Sequence, residues 1–127
     1  MALVTIRHPE LDYVLNSPSG AVGRYLDKKS LLIELAAKRQ VGVKTGALRA
    51  SIHTRHFRDP RGQFVRIGSE LKYAYLHHEG SKPHLIVAKT GGTLKFRRGS
   101  SVIYTHSVRH PGTRPNRFLS DNLHLVR

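Results

Sequence analysis

The sequence contains no cysteine and little negative charge. Without cysteine, the chain has no disulfide scaffold, no thiol nucleophile and no thiolate ligands for a metal. No run of apolar residues approaches the roughly 18 positions of a membrane span. Residues 1–15, which include Glu10 and Asp12, also lack the layout of a signal peptide. These absences exclude a disulfide-stapled scaffold, and they predict that a membrane is not among the partners.

The motifs of the common enzyme classes are also missing. The chain has no Gly-x-Ser-x-Gly turn, no Gly-x-x-x-x-Gly-Lys phosphate loop, no Gly-x-Gly-x-x-Gly and no His-Glu-x-x-His. Its eight carboxylates are not grouped along the chain as the ligands of a two-metal nuclease would be. We therefore predict that the protein is not an enzyme, has no catalytic or metal-ligating residues and uses no cofactor.

Nine histidines are the remaining candidates for metal or acid–base chemistry. His106 and His110 are four residues apart and would chelate together only on a helix, which the surrounding sequence does not predict. A metal-assisted hydrolase nevertheless stays open as a hypothesis, and it requires several histidines to converge on Glu79. Those histidines are His77, His78, His84 and His110.

Positive charge is what the sequence has in excess. It contains 22 Lys and Arg residues against eight Asp and Glu, a formal net charge of +14. Between Gly80 and Ser120 there is no carboxylate at all. Such a segment faces an acidic partner, a nucleic acid, or water with abundant counterions. A solubilising face and a contact surface for a polyanion or an acidic protein therefore both stay open.

The candidate interface residues are basic side chains within this carboxylate-free region. Most are arginines, whose planar guanidinium suits bidentate contact with carboxylates or phosphates. We expect them to contact a neighbouring subunit, a neighbouring protein or DNA. They are Lys89, Lys95, Arg97, Arg98, Arg109, His110, Arg114 and Arg117.

Length and hydrophobic periodicity predict one domain with a helical N-terminal part. The length favours a single domain over residues 1–127. Residues 1–16 show no clear period and predict an extended arm. Ser17 can cap a helix and Pro18 suits its first position. Apolar residues at 3.6-residue spacing then predict one long amphipathic helix over residues 17–41.

The middle of the chain, residues 51–110, has the composition of short strands. A turn at Asp59-Pro60-Arg61-Gly62 predicts a β-hairpin over residues 52–69. Residues 91–99 are basic and rich in glycine, which predicts the tip of a further hairpin. Residues 111–127 predict a rigid loop and a short helix. Three further strands are predicted by apolar runs at residues 85–87, 94–96 and 102–104.

Together these elements predict an α+β fold. The long N-terminal helix would pack on an antiparallel sheet of about four to five short strands, and an extended basic hairpin would project from that sheet. The segment Tyr73–Leu76 is compatible with either a short helix or a strand.

Three motifs, taken in order, resemble a known family. They are VKTGALRASI over residues 43–52, YAYLHHEGSKPH over residues 73–84 and HPGTRPNRFL over residues 110–119. This order resembles the small tail-component proteins of long-tailed bacteriophages (siphophages), called tail-completion, neck or head–tail joining proteins and also minor tail proteins. The chain departs from the family pattern at Ser81, where relatives often have Thr, and at Arg117, where they often have Pro before Phe-Leu.

The resemblance implies a structural virion protein that joins the tail to the head. It would be assembled in the cytoplasm of the bacterial host and would lie in the neck, at the top of the tail. It would form a cyclic homo-oligomer, with six copies expected and twelve left open. The neighbouring proteins would be the head–tail stopper or connector, the tail terminator and the tail tube, and contact with genomic duplex DNA in the lumen stays open.

The same motifs supply the residues that we expect to shape the fold. Thr45 and Gly46 predict a capped turn that redirects the chain from helix to sheet. Pro111 and Gly112 predict a stiff loop that can dock on a neighbour at low entropic cost. The full set is Thr45, Gly46, Leu48, Tyr73, Gly80, Pro111, Gly112 and Phe118.

A different class of function competes with this one. On charge alone, the chain could be a stand-alone nucleic-acid-binding module of the ribosomal or DNA-binding type. Such a module predicts binding of the purified monomer to duplex DNA or RNA with a steep salt dependence.

Overall fold

Helices and short antiparallel strands follow one another in separate groups in a computed structural model, which describes residues 8–127. This architecture confirms the predicted α+β class. The helices are α1 (Pro9–Asn16), α2 (Ala21–Gln40), α3 (Ala47–Ser51), α4 (Lys72–Glu79) and a C-terminal 3₁₀-helix (Ser120–Val126). The strands are β1 (His53–Asp59), β2 (Gly62–Gly68), β3 (His84–Val87), β4 (Leu94–Arg98), β5 (Ser101–Thr105) and β6 (Ser107–His110).

The chain divides into two compact units. Unit 1 contains the described residues through Ala74 together with Arg117–Arg127, and unit 2 is Tyr75–Asn116. One domain can contain two such units, so the prediction of a single domain stays a prediction. Within the described residues, no helix is both long and apolar enough to cross a membrane.

The N-terminal part is more helical than predicted. The extended arm is wrong for residues 9–16, which form α1 with Pro9 at its start and Glu10 and Asp12 in its first turn. Proline suits the first helical position, and carboxylates there interact favourably with the helix dipole. The rest of the predicted arm, residues 1–7, lies outside the described residues.

The long helix is present but begins later than predicted. Residues 17–20 form a turn, closed by a 2.9 Å hydrogen bond that the Gly20 amide donates to the Ser17 carbonyl. The hydroxyl of Ser17 accepts from the Ser19 amide, within that turn. Helix α2 therefore starts at Ala21 and ends at Gln40, with two basic residues in its last turn, which suits the dipole.

Strands β1 and β2 form the predicted first hairpin. Phe57 and Phe64 are opposite each other in the register, and their rings stack at 5.5 Å. Arg66 lies over both rings, 5.0 Å from the Phe57 centroid. Helix α2 packs on this hairpin, where the Thr54 hydroxyl donates a 2.8 Å hydrogen bond to Glu34.

The strands pair antiparallel, as predicted, but they do not form one sheet. The described residues contain three two-stranded sheets, which pair β1 with β2, β3 with β6, and β4 with β5. Strand β6 was not predicted, since Ser107–His110 has no continuous apolar run.

The core of unit 1 joins all three sequence motifs. Leu48 of the first motif, Ala74 of the second and Phe118 of the third are each at most 7% exposed. They belong to one hydrophobic cluster with the end of helix α2 and the residue that follows α3. The other members are Ala37, Val41 and Ile52.

Candidate interaction surface

Unit 2 is built around one long hairpin, residues 84–110. The chain runs out along β3 and β4 and returns along β5 and β6, so the two sheets are successive parts of the same hairpin. Between them, residues 88–93 lie opposite His106 alone. The Ala88 amide donates a 2.8 Å hydrogen bond to the His106 carbonyl. Extra residues on one strand bend a hairpin, so this segment separates an inner part, β3–β6, from an outer part, β4–β5.

The two parts of the hairpin line an open cleft of about 870 Å³. Its apolar lining includes two cross-strand pairs, Phe96 opposite Ile103 and Ile86 opposite Val108. Leu94 completes this lining, and each of the five side chains is only half-buried. The cleft is therefore an apolar surface that unit 2 does not cover.

Four of the predicted interface residues lie around this cleft. Lys95 and Arg98 come from β4, and Arg109 and His110 come from β6. The ammonium of Lys95 lies 5.7 Å from the centre of the Tyr104 ring. The three formal cations are exposed, and the region from Gly80 to Ser120 supplies no carboxylate to neutralise them. The cleft thus combines an apolar floor with a positive border.

The other predicted interface residues are exposed but do not line the cleft. Lys89 lies between β3 and β4, Arg97 lies on β4, and Arg114 lies in the loop after β6. Arg117 belongs to unit 1. The predicted set is therefore a dispersed group of basic side chains, exposed except for the half-buried His110, and half of them share one cleft.

His110 also takes part in the internal packing of the hairpin. Its ring lies 5.1 Å from that of His84, the residue opposite it in the register. The amide of Gly112 donates a 3.1 Å hydrogen bond to His110 Nδ1.

The second and third motifs meet in unit 2 through two glycines. Ser81 and Thr113 exchange backbone hydrogen bonds of 3.1 Å in both directions. A Cβ on Gly112 would lie 2.2 Å from the Ser81 carbonyl oxygen, and one on Gly80 would lie 2.6 Å from that of Thr113. Both glycines also have positive φ. Close approach and backbone conformation together explain why glycine stands at these two positions, and Pro111 borders the cleft beside them.

The remaining motif residues act in unit 1. Gly46 precedes α3 with φ of 81°, and the Thr45 hydroxyl accepts a 3.4 Å hydrogen bond from the Ala47 amide. Leu48 and Phe118 are in the core. Tyr73 is 48% exposed. The buried residue of this motif is instead Ala74, which α4 directs towards the core.

Unit 2 has no buried side chain. Every residue of Tyr75–Asn116 is exposed or half-exposed. A two-stranded sheet has an unpaired edge on both sides and is only marginally stable alone. Large apolar side chains are exposed over the unit, namely Tyr75, Leu76, Leu85, Val87, Val102 and Tyr104.

The histidines proposed for a hydrolase fall into separate sets. His78 Nδ1 lies 2.7 Å from Glu79 Oε1, whereas the rings of His84 and His110 lie next to each other at a tilt of 31°. His77 Nε2 lies 3.4 Å from the Asn116 side-chain nitrogen. Among residues 8–127, no group of three or more His, Cys, Asp or Glu side chains is placed to hold a metal ion.

Sequence reasoning missed the apolar lining of the cleft. Phe96 and Ile103 lie in strands that the sequence predicts, but we did not predict that they line an open surface. A signal was available on β4, where Lys95 and Arg97 alternate with Leu94 and Phe96, so that this strand has a single apolar side.

Comparison with protein-family models, curated proteins and solved structures finds no match to this chain. The resemblance to phage tail-component proteins therefore depends on the three sequence motifs.

Proposed function

We propose that this chain is a structural subunit at the head–tail interface of a long-tailed bacteriophage. It would act in tail completion as one copy of a neck ring, six copies being the expected number. The order of the three motifs supports this proposal. So does their structural role, since each motif contributes a residue to the core of unit 1.

The observation that carries the proposal is the incomplete burial of unit 2. A monomer that functions alone rarely exposes large contiguous apolar surfaces, and such surfaces usually mark interaction sites. Tyr75–Asn116 exposes apolar side chains without a buried core of its own. Assembly with neighbouring copies would cover this surface. In a ring, each copy presents two different patches, one to each neighbour.

The test is deletion of the gene from the phage that encodes it, followed by electron microscopy of the lysate. We expect DNA-filled heads beside separate full-length tails. Heads without any tails would instead place the chain in tail assembly. Normal infectious virions would overturn the structural proposal.

Complementation of that deletion tests the basic segment. Arg97→Glu with Arg98→Glu reverses two exposed charges on β4, and we expect it to reduce tail joining. The matched control is Lys44→Glu with Arg49→Glu, which makes the same change in charge on unit 1. If both variants join tails to heads equally well, the basic segment from Gly80 to Ser120 does not make the contact needed for joining.

One observation favours nucleic-acid binding as a second candidate. Tyr104 is 63% exposed and lies beside Lys95, and strand β4, with which it pairs, also carries Arg97 and Arg98. Exposed aromatic rings with cations nearby suit stacking on bases and contact with phosphates. If this is the function, the purified monomer binds duplex DNA or RNA with affinity that falls steeply as salt rises.

A further inference from the structure

We propose that helix α1 of one copy docks in the hairpin cleft of the next copy. The inference rests on the proposed function as a ring subunit and names the contact that would close the ring. Two apolar surfaces that are only partly covered within their own unit carry it. One is the stripe of α1, which also contacts α2 and β2 in unit 1, and the other is the cleft in unit 2.

Helix α1 is a largely exposed helix with an apolar stripe. It has no buried residue. Leu11, Val14 and Leu15 are 53%, 40% and 45% exposed, and their i, i+3, i+4 spacing places them on one face. Glu10 lies four residues before Val14 and Asp12 three before Leu15, so carboxylates border the stripe on both sides.

The cleft has the complementary pattern. Its floor is apolar, and Lys95, Arg98 and Arg109 border it without any carboxylate from the same segment. Docking would bring the carboxylates of α1 to these cations while the stripe covers the floor. Complementary charges fix orientation and raise association rates.

The existing contacts of α1 leave its carboxylates available. Asp12 lies 3.7 Å from Arg58, and both side chains are more than half exposed. The same carboxylate oxygen accepts a 2.6 Å hydrogen bond from the Asn16 side chain, and this bond is also exposed to solvent. Such a surface pair contributes about 0–1 kcal/mol, so it can be exchanged for a new partner. Among residues 8–127, Glu10 has no ion pair.

The cleft has room for apolar side chains of a helix. An α-helix of the length of α1 is about 12 Å long. The cleft volume of about 870 Å³ falls within the range of roughly 300–1,000 Å³ that holds ligands the size of a few side chains.

Because α1 and the cleft are different surfaces, the contact is heterologous and repeats from copy to copy. A repeating contact of this kind closes into a ring when its rotation allows.

Charge exchange between two variants tests the contact. One variant carries Glu10→Lys and Asp12→Lys, and the other carries Arg98→Glu and Arg109→Glu. We expect each alone to self-associate about 100-fold more weakly than the unchanged chain, because like charges then face each other. Their mixture should assemble again, since every interface becomes complementary when the two chains alternate.

Native mass spectrometry of that mixture gives a distinctive readout. Alternation permits only even-numbered rings with equal amounts of both chains. Random composition, or undiminished self-assembly of either variant alone, would overturn the inference. The control Lys44→Glu with Arg49→Glu should assemble as the unchanged chain does. Circular dichroism of each variant verifies that it is folded.

A crosslinking experiment uses the absence of native cysteine. Chains with Leu11→Cys are mixed with chains carrying Ile103→Cys in the cleft, and a short bismaleimide is added. We expect a mixed dimer, and much less of it when Leu85→Cys, at an exposed residue that does not line the cleft, replaces Ile103→Cys.

The outcomes separate this inference from the proposed function. If rings form but positions 11 and 103 do not crosslink, the docking of α1 in the cleft is overturned, whereas the proposed ring is not. Crosslinking only when both substitutions are in one chain means that α1 docks within its own copy, which also overturns the inference. A chain that is monomeric at every concentration overturns it too, while the phage deletion decides the proposed function independently.

Discussion

At the scale of single residues, Glu34 links helix α2 to the first hairpin. Its carboxylate accepts hydrogen bonds from Lys38, one turn later, and from Thr54 on β1, and its side chain is only 17% exposed. Burial raises the pKa of Glu34, but the hydrogen bonds from Lys38 and Thr54 and the charge of Lys38 outweigh it. The pKa of Glu34 therefore lies below its ordinary value.

This direction predicts how Glu34 affects stability as the pH changes. A lowered pKa in the folded state means that the carboxylate stabilises the fold above the unfolded-state value of about 4.3. That contribution is lost as the pH falls from there through the folded-state pKa. Glu34→Gln should therefore destabilise the chain at pH 7 and less at pH 3, as measured by urea unfolding.

An exposed carboxylate is the control for Glu34. Glu70 pairs with Arg55, and both side chains are more than half exposed, so Glu70→Gln should change stability little at either pH. The interpretation of Glu34 is wrong if its substitution costs as much at pH 3 as at pH 7.

At the scale of elements, Gly46 allows the chain to pass from α2 to α3. Its φ of 81° lies in the left-handed region, and a Cβ there would have open space around it. The cost of Gly46→Ala is therefore one of backbone conformation alone, about 1–2 kcal/mol.

Gly68 offers a matched control for this prediction. A Cβ on Gly68 would also meet no neighbour, but its φ is not positive. Gly68→Ala should thus be neutral or stabilising. Urea unfolding of both variants provides the comparison, and equal effects would contradict a conformational role for Gly46.

Comparison of the predicted with the observed helices and strands shows which elements periodicity and turn signals can predict. They predicted α2, the first hairpin and the apolar strands of unit 2, because each depends on residues close in sequence. They did not predict β6, whose residues are mostly polar and whose strand is formed by pairing with β3. They also placed the start of α2 too early, because Ser17 completes a local turn instead of capping the helix.

At the scale of the whole molecule, burial is confined to one unit. The hydrophobic cluster lies entirely in unit 1, and no residue of Tyr75–Asn116 is buried. Strands without a core open easily, since local stability follows the burial of apolar contacts.

Hydrogen exchange should reveal this asymmetry. In the unassembled chain, we expect slow exchange for amides of α2 and rapid exchange for those of β3–β6. On assembly, the hairpin amides should become protected while those of α2 change little. Equal protection of both units before assembly, or no change in the hairpin afterwards, would contradict the expected covering of unit 2.

The sequence by itself determined the α+β class, the long helix, the first hairpin and the excess of positive charge. These follow from local propensity, from periodicity and from composition. The prediction of a hairpin tip at residues 91–99 is wrong, because residues 94–98 form β4 and the turn follows at residues 99–100. Only the tertiary structure decided that Leu48, Ala74 and Phe118 share one core, and that Phe96 and Ile103 face an uncovered cleft. The reason is physical: an apolar residue in a strand has the same local pattern whether a core or a partner covers it, and only the packing of the whole chain distinguishes the two.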